Sequence, residues 1–381
     1  MRHSLRFAFL GALLLGGACS DGSRSSSEGV TVESVSEISP SSAGYSLGVS
    51  APYSGVSGGA VLISGGANFP EVSAADGGVK AYYDQIFALL ESGDWAEVGR
   101  MDSPRAYGAT VRVGDWLYFI GGADALGSIS DVVGYSFSQG KLSRKEIPSL
   151  PRSIEQGGAT IMDSVIYLTG GLSAGVANRS IYTLDLRSPQ RWDSLECKLP
   201  VSMIQPVVVA LAGDIYIWGG FTPSSDSTAG VTIDYGYKFS PSNSQWQKIQ
   251  SYKKDGIAQS MVGSSGVAYQ DSCIIVTGGV DKLIFDQALE RAFQIATNRT
   301  CELNKLKEIQ RQYMLEDPLY YKFNSQVMLY NVNTNEWKEL LNEPRSARAG
   351  AALVLKENEL YILNGELKPG IRTPQNTKIK L

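Results

Sequence analysis

The sequence predicts an all-β fold, a six-bladed β-propeller whose ring is closed by strands from both chain ends. Three observations predict it. An apolar strand ending in Gly-Gly or its equivalent recurs six times. Each copy is followed by a strand carrying Tyr and often by one opening on Trp. The last copy runs out one strand short, while an unassigned strand pattern stands near the N-terminus.

The recurring strands are Ala60-Val-Leu-Ile-Ser-Gly-Gly66, Trp116-Leu-Tyr-Phe-Ile-Gly-Gly122, Val165-Ile-Tyr-Leu-Thr-Gly-Gly171, Ile215-Tyr-Ile-Trp-Gly-Gly220 and Cys273-Ile-Ile-Val-Thr-Gly-Gly279. A sixth, Leu360-Tyr-Ile-Leu-Asn-Gly365, has Asn for the first Gly. Gly-Gly alone says little in a chain with 41 glycines. The preceding apolar strand, repeated at intervals of 49 to 86 residues, points to stacked units.

Each unit has the same parts in the same order. A turn such as Pro104-Arg105 leads into a small-residue strand, Arg105-Ala-Tyr-Gly-Ala-Thr-Val. Small residues suit an innermost strand, where blades crowd a central axis. The Gly-Gly strand follows, and glycine permits the positive φ of a sharp turn. A third strand carries Tyr, as in Ser180-Ile-Tyr-Thr-Leu, and a fourth opens near Trp95, Trp192, Trp246 or Trp337. These aromatics fill the wider space between blades. The pattern resembles the kelch repeat, whose units form four-stranded propeller blades. The last unit supplies strands near 347–355, 359–363 and 376–381. Its missing fourth strand is expected at 30–38, which removes an exposed edge.

One interval is too long. Residues 281–321 are helical in pattern, with Phe285, Leu289, Ala292, Phe293 and Ala296 on one stripe and Leu303, Leu306, Ile309 and Tyr313 on another. They predict two amphipathic helices, or one broken helix, in an insertion (280–325) between strands two and three of the fifth blade. The insertion either packs on the propeller or walls a pocket.

Composition narrows the chemistry. Hydrophobic residues make up 43% of the 381, enough for a sizeable core. Net charge is −4, and no basic block exceeds three residues, which argues against nucleic-acid binding. The one histidine, His3, lies in an N-terminal signal pattern. A mature chain without histidine has no Ser-His-Asp or Cys-His mechanism and no His-containing zinc site. No cofactor and no metal are expected.

Arg2 and Arg6 precede an apolar run, Phe7 to Leu15, then Gly16, Gly17, Ala18 and Cys19. This is a secretory signal (1–18), too short for an ordinary spanning helix. A Cys after small residues resembles a bacterial lipoprotein box, which implies diacylation of Cys19 and a Ser-rich tether (19–28). The alternative is a plain secreted signal cut near Cys19. The expectation is an exported lipoprotein on the periplasmic side of a membrane. Cys197, Cys273 and Cys301 show no C-x-x-C spacing, and their odd number leaves at least one thiol free.

In a propeller, the turns leading into strand one and the loops after Gly-Gly share a face. That face collects Asn68-Phe69-Pro70, the insertion and the segment 366–372. It also collects Arg105, Tyr107, Arg152 and Arg348. Arginines converging on a channel mouth suit a small anionic molecule.

Asn364-Gly-Glu366-Leu-Lys-Pro-Gly-Ile-Arg-Thr373 resembles the GE-x-KPG-x-RT motif of the N-acetylneuraminate mutarotase, or sialic acid epimerase, family. Gly65-Gly-Ala-Asn-Phe-Pro70 and Arg105-Ala-Tyr-Gly108 are similar to two further family segments. In the ordinary family the GE-x-KPG-x-RT unit comes earlier in the chain, so this sequence resembles a cyclically permuted branch. The resemblance implies a periplasmic propeller with Glu366 as proton acceptor and Arg372 as its essential companion. The remaining face residues, Asn68, Arg105, Tyr107, Arg152 and Arg348, are the candidate substrate contacts.

The residue types fit that chemistry. Mutarotation opens a hemiketal, lets the ketone rotate and recloses it, which needs a base at the anomeric hydroxyl and an acid at the ring oxygen. Glu366 supplies the base, Arg372 grips the sugar carboxylate or orients Glu366, and Tyr107 or a water is the acid. The rival readings are a non-catalytic glycan-binding propeller and a protein-interaction propeller, since fold does not settle function. A copper oxidase of similar architecture needs histidine ligands. A sialidase would show S-x-D-x-G-x-x-W repeats, and none is present.

Overall fold

The computed structural model describes residues 29–39, 44–297 and 302–381. The expected signal, Cys19, the tether and Cys301 lie outside the described residues. The six repeats fold into six four-stranded antiparallel blades. Blade one is Tyr53–Ser57, Ala60–Ser64, Gln85–Leu89 and Trp95–Arg100. Blade two is Ala109–Val113, Trp116–Ile120, Val132–Ser138 and Lys141–Ile147. Blade three is Glu155–Met162, Val165–Ser173, Ser180–Asp185 and Asp193–Lys198. Blade four is Val207–Leu211, Asp214–Trp218, Tyr235–Ser240 and Gln245–Gln250. Blade five is Ser264–Tyr269, Cys273–Gly278, Gln326–Asn331 and Glu336–Asn342.

Blade six takes Ala352–Lys356, Glu359–Leu363 and Asn376–Lys380 from one chain end and Thr31–Val35 from the other. Thr31 stands opposite Lys380 and Val35 opposite Asn376. The closing strand expected at 30–38 is therefore in place.

The second strand of each blade lies between two neighbouring blades, which is why it is apolar without alternation. In blade one, Val61, Leu62 and Ile63 are all buried. Each of the six blade interfaces has its own apolar cluster. At the closing seam, Val56, Ile63 and Phe87 meet Val354, Tyr361 and Leu363. Indoles cross the seams too: Trp95, Trp192 and Trp337 donate Nε1–H to the carbonyls of Ser36, Pro148 and Gln250 in the preceding blade. Among the described residues, Cys197 and Cys273 form no disulfide.

The Gly-Gly turns have a second task beyond turning. The second residue of each pair (Gly66, Gly122, Gly171, Gly220, Gly279 and Gly365) donates its N–H to a carbonyl of the next blade, at 2.7–3.0 Å. Those carbonyls belong to Arg105, Ile154, Met203, Ser260, Arg348 and Val49. A Cβ on the first glycine would strike the same carbonyls; on Gly219 it would lie 1.8 Å from Ser260 O. Asn364 fills this position in blade six with φ 53, a conformation Asn tolerates better than most residues. Its side chain accepts from Val49 N–H at 3.0 Å and donates to Asn376 Oδ1 at 3.0 Å, stitching the closing seam.

The insertion forms two helices, α1 (Lys282–Thr297) and α2 (Leu303–Leu315), and a 3-10 turn, Pro318–Tyr321. Asp281 caps α1 through the N–H groups of Leu283 and Ile284. α1 leans on blade four: Phe285 meets Phe221 edge-on, and Asp286 accepts from Thr232 N–H. α2 reaches blades one and six, where Arg311 pairs with Asp76 and Lys368 Nζ donates to Glu316 O. Among the described residues no helix is long and apolar enough to cross a membrane.

Candidate active site

The innermost strands enclose a channel of about 600 Å³. At its mouth is a pocket of about 230 Å³, lined by Tyr107, Gln156, Gln205, Ser264, Gly350 and Glu366 among others. The two share Gly108, Gly157 and Pro206, so the pocket opens downward into the channel.

Glu366 reaches this mouth because of the turn before it. Gly365, at φ 112, sends its N–H to Val49 O, and the next residue exchanges backbone hydrogen bonds with Ala349. A short hairpin follows, Glu366–Lys368 paired with Ile371–Arg372. Glu366 and Arg372 are direct cross-strand partners, which puts their side chains side by side. Arg372 Nη2 lies 3.4 Å from Glu366 Oε2, and Glu366 Oε1 accepts from Gly370 N–H at 2.9 Å. Gly370 has φ 84, and a Cβ there would lie 2.6 Å from Ala74 Cβ, so glycine alone fits this turn.

Arg372 is the electrostatic centre of the site. Its side chain is 4% exposed, against 22% for Glu366. The guanidinium stacks on Phe69, 5.1 Å from the ring centroid. Its Nε and Nη1 are buried and have no acceptor among the described residues. A desolvated cation with unsatisfied N–H donors favours an anionic ligand beside it.

The structure distributes the expected contacts differently. Tyr107 lines the pocket with Glu366. Arg105 is 2% exposed, held by Ser103 and, at 3.4 Å, by Asp131, and it lies in the seam between blades one and two. Arg348 is 1% exposed beneath the hairpin, where Nη1 donates to Asn364 O and Gln375 O and clamps the two ends of the 364–375 segment. Burial lowers its pKa to about 10, which leaves it charged at neutral pH. Arg152 is exposed and is not among the pocket-lining residues. Asn68 is buried; its amide donates to Gly44 O and Gly48 O and its oxygen accepts from Tyr83. The expectation of converging arginines is corrected: Arg105 and Arg348 spend their donors on acceptors at the base of the blades their turns lead into, and those contacts win.

The positive charge near the mouth comes from other residues. Lys80 Nζ lies 4.7 Å from the Tyr107 ring and 6.0 Å from that of Phe69. Tyr82 meets Tyr107 edge-on at 6.4 Å, and burial raises its pKa to about 12, helped by Tyr107, Glu155 and Asp124. The insertion closes the side of Glu366. Tyr313 of α2 is buried and packs under the Arg291 guanidinium at 4.6 Å. Burial pushes the Tyr313 and Tyr321 hydroxyls up, and the Glu366 charge adds a small push to each. The sequence singled out Tyr313 only as an apolar stripe residue; nothing marked Lys80, Tyr82, Gln156, Gln205 or Arg291.

A six-bladed propeller of kelch type, with a paired carboxylate and guanidinium at its channel mouth, is the class these observations define. A family model described as N-acetylneuraminate epimerase matches residues 21–143 and 147–381, and the chain belongs to that family. It is 30% identical over 229 residues to an N-acetylneuraminate epimerase of Haemophilus influenzae, covering 60% of this chain and 57% of the relative. It is 34% identical over 230 residues to one of Salmonella paratyphi B, covering 60% and 56%. The matched stretch therefore spans little more than half the length of these relatives. The solved structure of YjhT matches with a TM-score of 0.51 at 25% identity, over 59% of this chain and 62% of that one.

Proposed function

We propose that the protein is a mutarotase that interconverts the α and β anomers of N-acetylneuraminate by acid–base ring opening and closure. The observation that carries this reading is the Glu366–Arg372 pair at the channel mouth, with two guanidinium N–H donors unspent. The names of the family and of the relatives supply the sugar. A permuted order of repeat units accounts for linear alignments that stop at about 60% of the chain.

In ring opening, Glu366 takes the proton of the anomeric hydroxyl as the bond from the anomeric carbon to the ring oxygen breaks. That oxygen takes a proton from Tyr107 or a water. The ketone rotates, and the same transfers in reverse close the ring on its other face, so no net proton is consumed. Arg372 donates to the sugar carboxylate from Nη1, next to the Nη2 that stays on Glu366. Base and carboxylate are thereby held at a set separation, and the reacting groups are oriented before reaction.

The test is proton NMR of freshly released α-N-acetylneuraminate. The protein accelerates its approach to the equilibrium mixture; equilibration at the buffer rate would refute the reading. Arg372→Lys keeps the charge and loses the fork and the stacking. It is expected to raise KM about tenfold or more, the worth of a lost charge-assisted hydrogen bond, with kcat changed far less; steady-state exchange rates against sugar concentration check this.

We also propose that the chain is exported and anchored through a diacylated Cys19, on the strength of the 1–19 pattern. In cells, Cys19→Ala is expected to move the protein from the membrane fraction to the soluble one. An unchanged partition would count against the anchor.

A further inference from the structure

One residue per blade holds left-handed backbone at the channel mouth, at or just before the innermost strand. These are Ala51, Tyr107, Gln156, Gln205, Gly263 and Gly350, with φ from 54° to 71°. Their backbones form a belt. Ala51 N–H donates to Gly350 O, Tyr107 to Ala51, Gln156 to Tyr107, Gln205 to Gln156 and Gly350 to Gly263. The belt explains the backbone but not the residues. Glycine adopts this conformation freely, while an L side chain adopts it at a cost.

Blades five and six use glycine because nothing else fits. A Cβ on Gly350 would lie 2.5 Å from Ser50 Oγ, and one on Gly263 would lie 2.9 Å from Ala349 Cβ. Blades two, three and four instead carry Tyr, Gln and Gln in the same strained backbone. All three line the pocket that also contains Glu366. In a six-membered ring, blade three stands opposite blade six, so these side chains face the Glu366–Arg372 hairpin across the mouth.

The two glutamines are oriented. Gln205 Nε2 donates to Gln156 Oε1 at 2.8 Å. Gln156 Nε2 lies 3.4 Å from Glu155 Oε2, and Glu155 Oε1 accepts from Ser128 at 2.8 Å. This chain leaves Gln205 Oε1 and a second N–H on each amide for a ligand. Acceptors and donors side by side, next to a tyrosine face, match hydroxyl and amide groups on a sugar ring and its substituents.

We propose that Tyr107, Gln156 and Gln205 form a substrate-positioning arc that reads the hydroxyl and acetamido groups of an acidic sugar whose carboxylate end is held by Arg372. The inference rests on the function proposed above and adds the residues that select the sugar. Four adjacent blades keep a non-glycine residue in this backbone, Ala51 among them; the signature of the arc is that three of the four bear large polar side chains lining the pocket, where glycine would be cheaper.

The double variant Gln156→Gly, Gln205→Gly separates the arc from a structural role. Glycine relieves the left-handed backbone, so the melting temperature is expected to hold or rise. KM for anomer exchange of N-acetylneuraminate is expected to rise about tenfold or more, the equivalent of one to two lost hydrogen bonds, with kcat retained. Preference for N-acetylneuraminate over the analogue with hydroxyl in place of acetamido should shrink. An unchanged KM and preference would overturn the proposal, as would a lower melting temperature with unchanged kinetics. If the wild type fails to accelerate exchange, the mutarotase reading falls by itself. Thermal shift with N-acetylneuraminate and glucuronate then decides the arc: it stands if a wild-type shift is lost in the double variant, and falls if that shift persists or none occurs.

Discussion

Glu366→Gln is expected to slow enzyme-catalysed anomer exchange by about 10²–10⁴-fold, the usual worth of a positioned general base. The substitution is close to isosteric. The Gln carbonyl can still accept from Gly370 N–H, the bond that now sets one carboxylate oxygen at 2.9 Å. The hairpin is held independently by the Gly365 and Ala349 backbone bonds and by Arg348 beneath it. The fold should therefore survive, with a melting temperature close to wild type and sugar binding largely kept. Loss of exchange with retained binding identifies the carboxylate as the base. Exchange at the wild-type rate would remove Glu366 from the mechanism. Binding without any catalysis in the wild type would favour the glycan-binding reading instead.

Deletion of residues 1–38 is expected to lower Tm by about 5 °C or more, whereas deletion of 1–28 leaves it unchanged. The longer deletion removes the outer strand of blade six. Five residue pairs with Asn376–Lys380 go with it, and so do the Ser36 contacts to Asn376, Trp95 and Gly93. Ile38, 4% exposed in the cluster between blades six and one, is lost too. Burial of one Ile contributes about 2–3 kcal/mol and each ladder hydrogen bond about 0.5–1.5 kcal/mol. Even after the entropy of ordering the segment, several kcal/mol remain, at roughly 1–2 °C each for a chain of this size. The freed edge would also template aggregation. Equal melting temperatures for the two truncations, by calorimetry, would show that the ring does not need its N-terminal strand.

The repeat was legible because a strand between two blades must be apolar on both faces and must turn sharply into the next seam. Ile-Ser-Gly-Gly and its relatives spell both requirements locally. The closing strand was legible by subtraction, since twenty-three strands from six units leave one edge unpaired. The helical insertion was legible from its 3.6-residue stripes, though not the surface it would face. Glu366 and Arg372 are six positions apart on one hairpin, a spacing that a motif can carry.

Arg105 and Arg348 were not legible in the same way. A Pro-Arg turn puts an arginine on the correct face, but acceptors distant in sequence decide whether the guanidinium turns into the channel or into the seam. Asp131, Asn364 O and Gln375 O turned them inward. Lys80, Gln156 and Gln205 had no local signal, because their proximity to Glu366 arises only when the ring closes.

The sequence alone thus determined the ring, the number of its blades, the strand that closes it and the hairpin that carries the candidate base and its arginine. The ring is written in short-range spacing and hydrophobic period, which backbone geometry reads locally; the hairpin is legible through its resemblance to a family motif. The tertiary structure alone decided which side chains share the mouth with that hairpin. Convergence of six strands on one axis places residues hundreds of positions apart within one pocket, and competition for acceptors in the seams withdraws others from it.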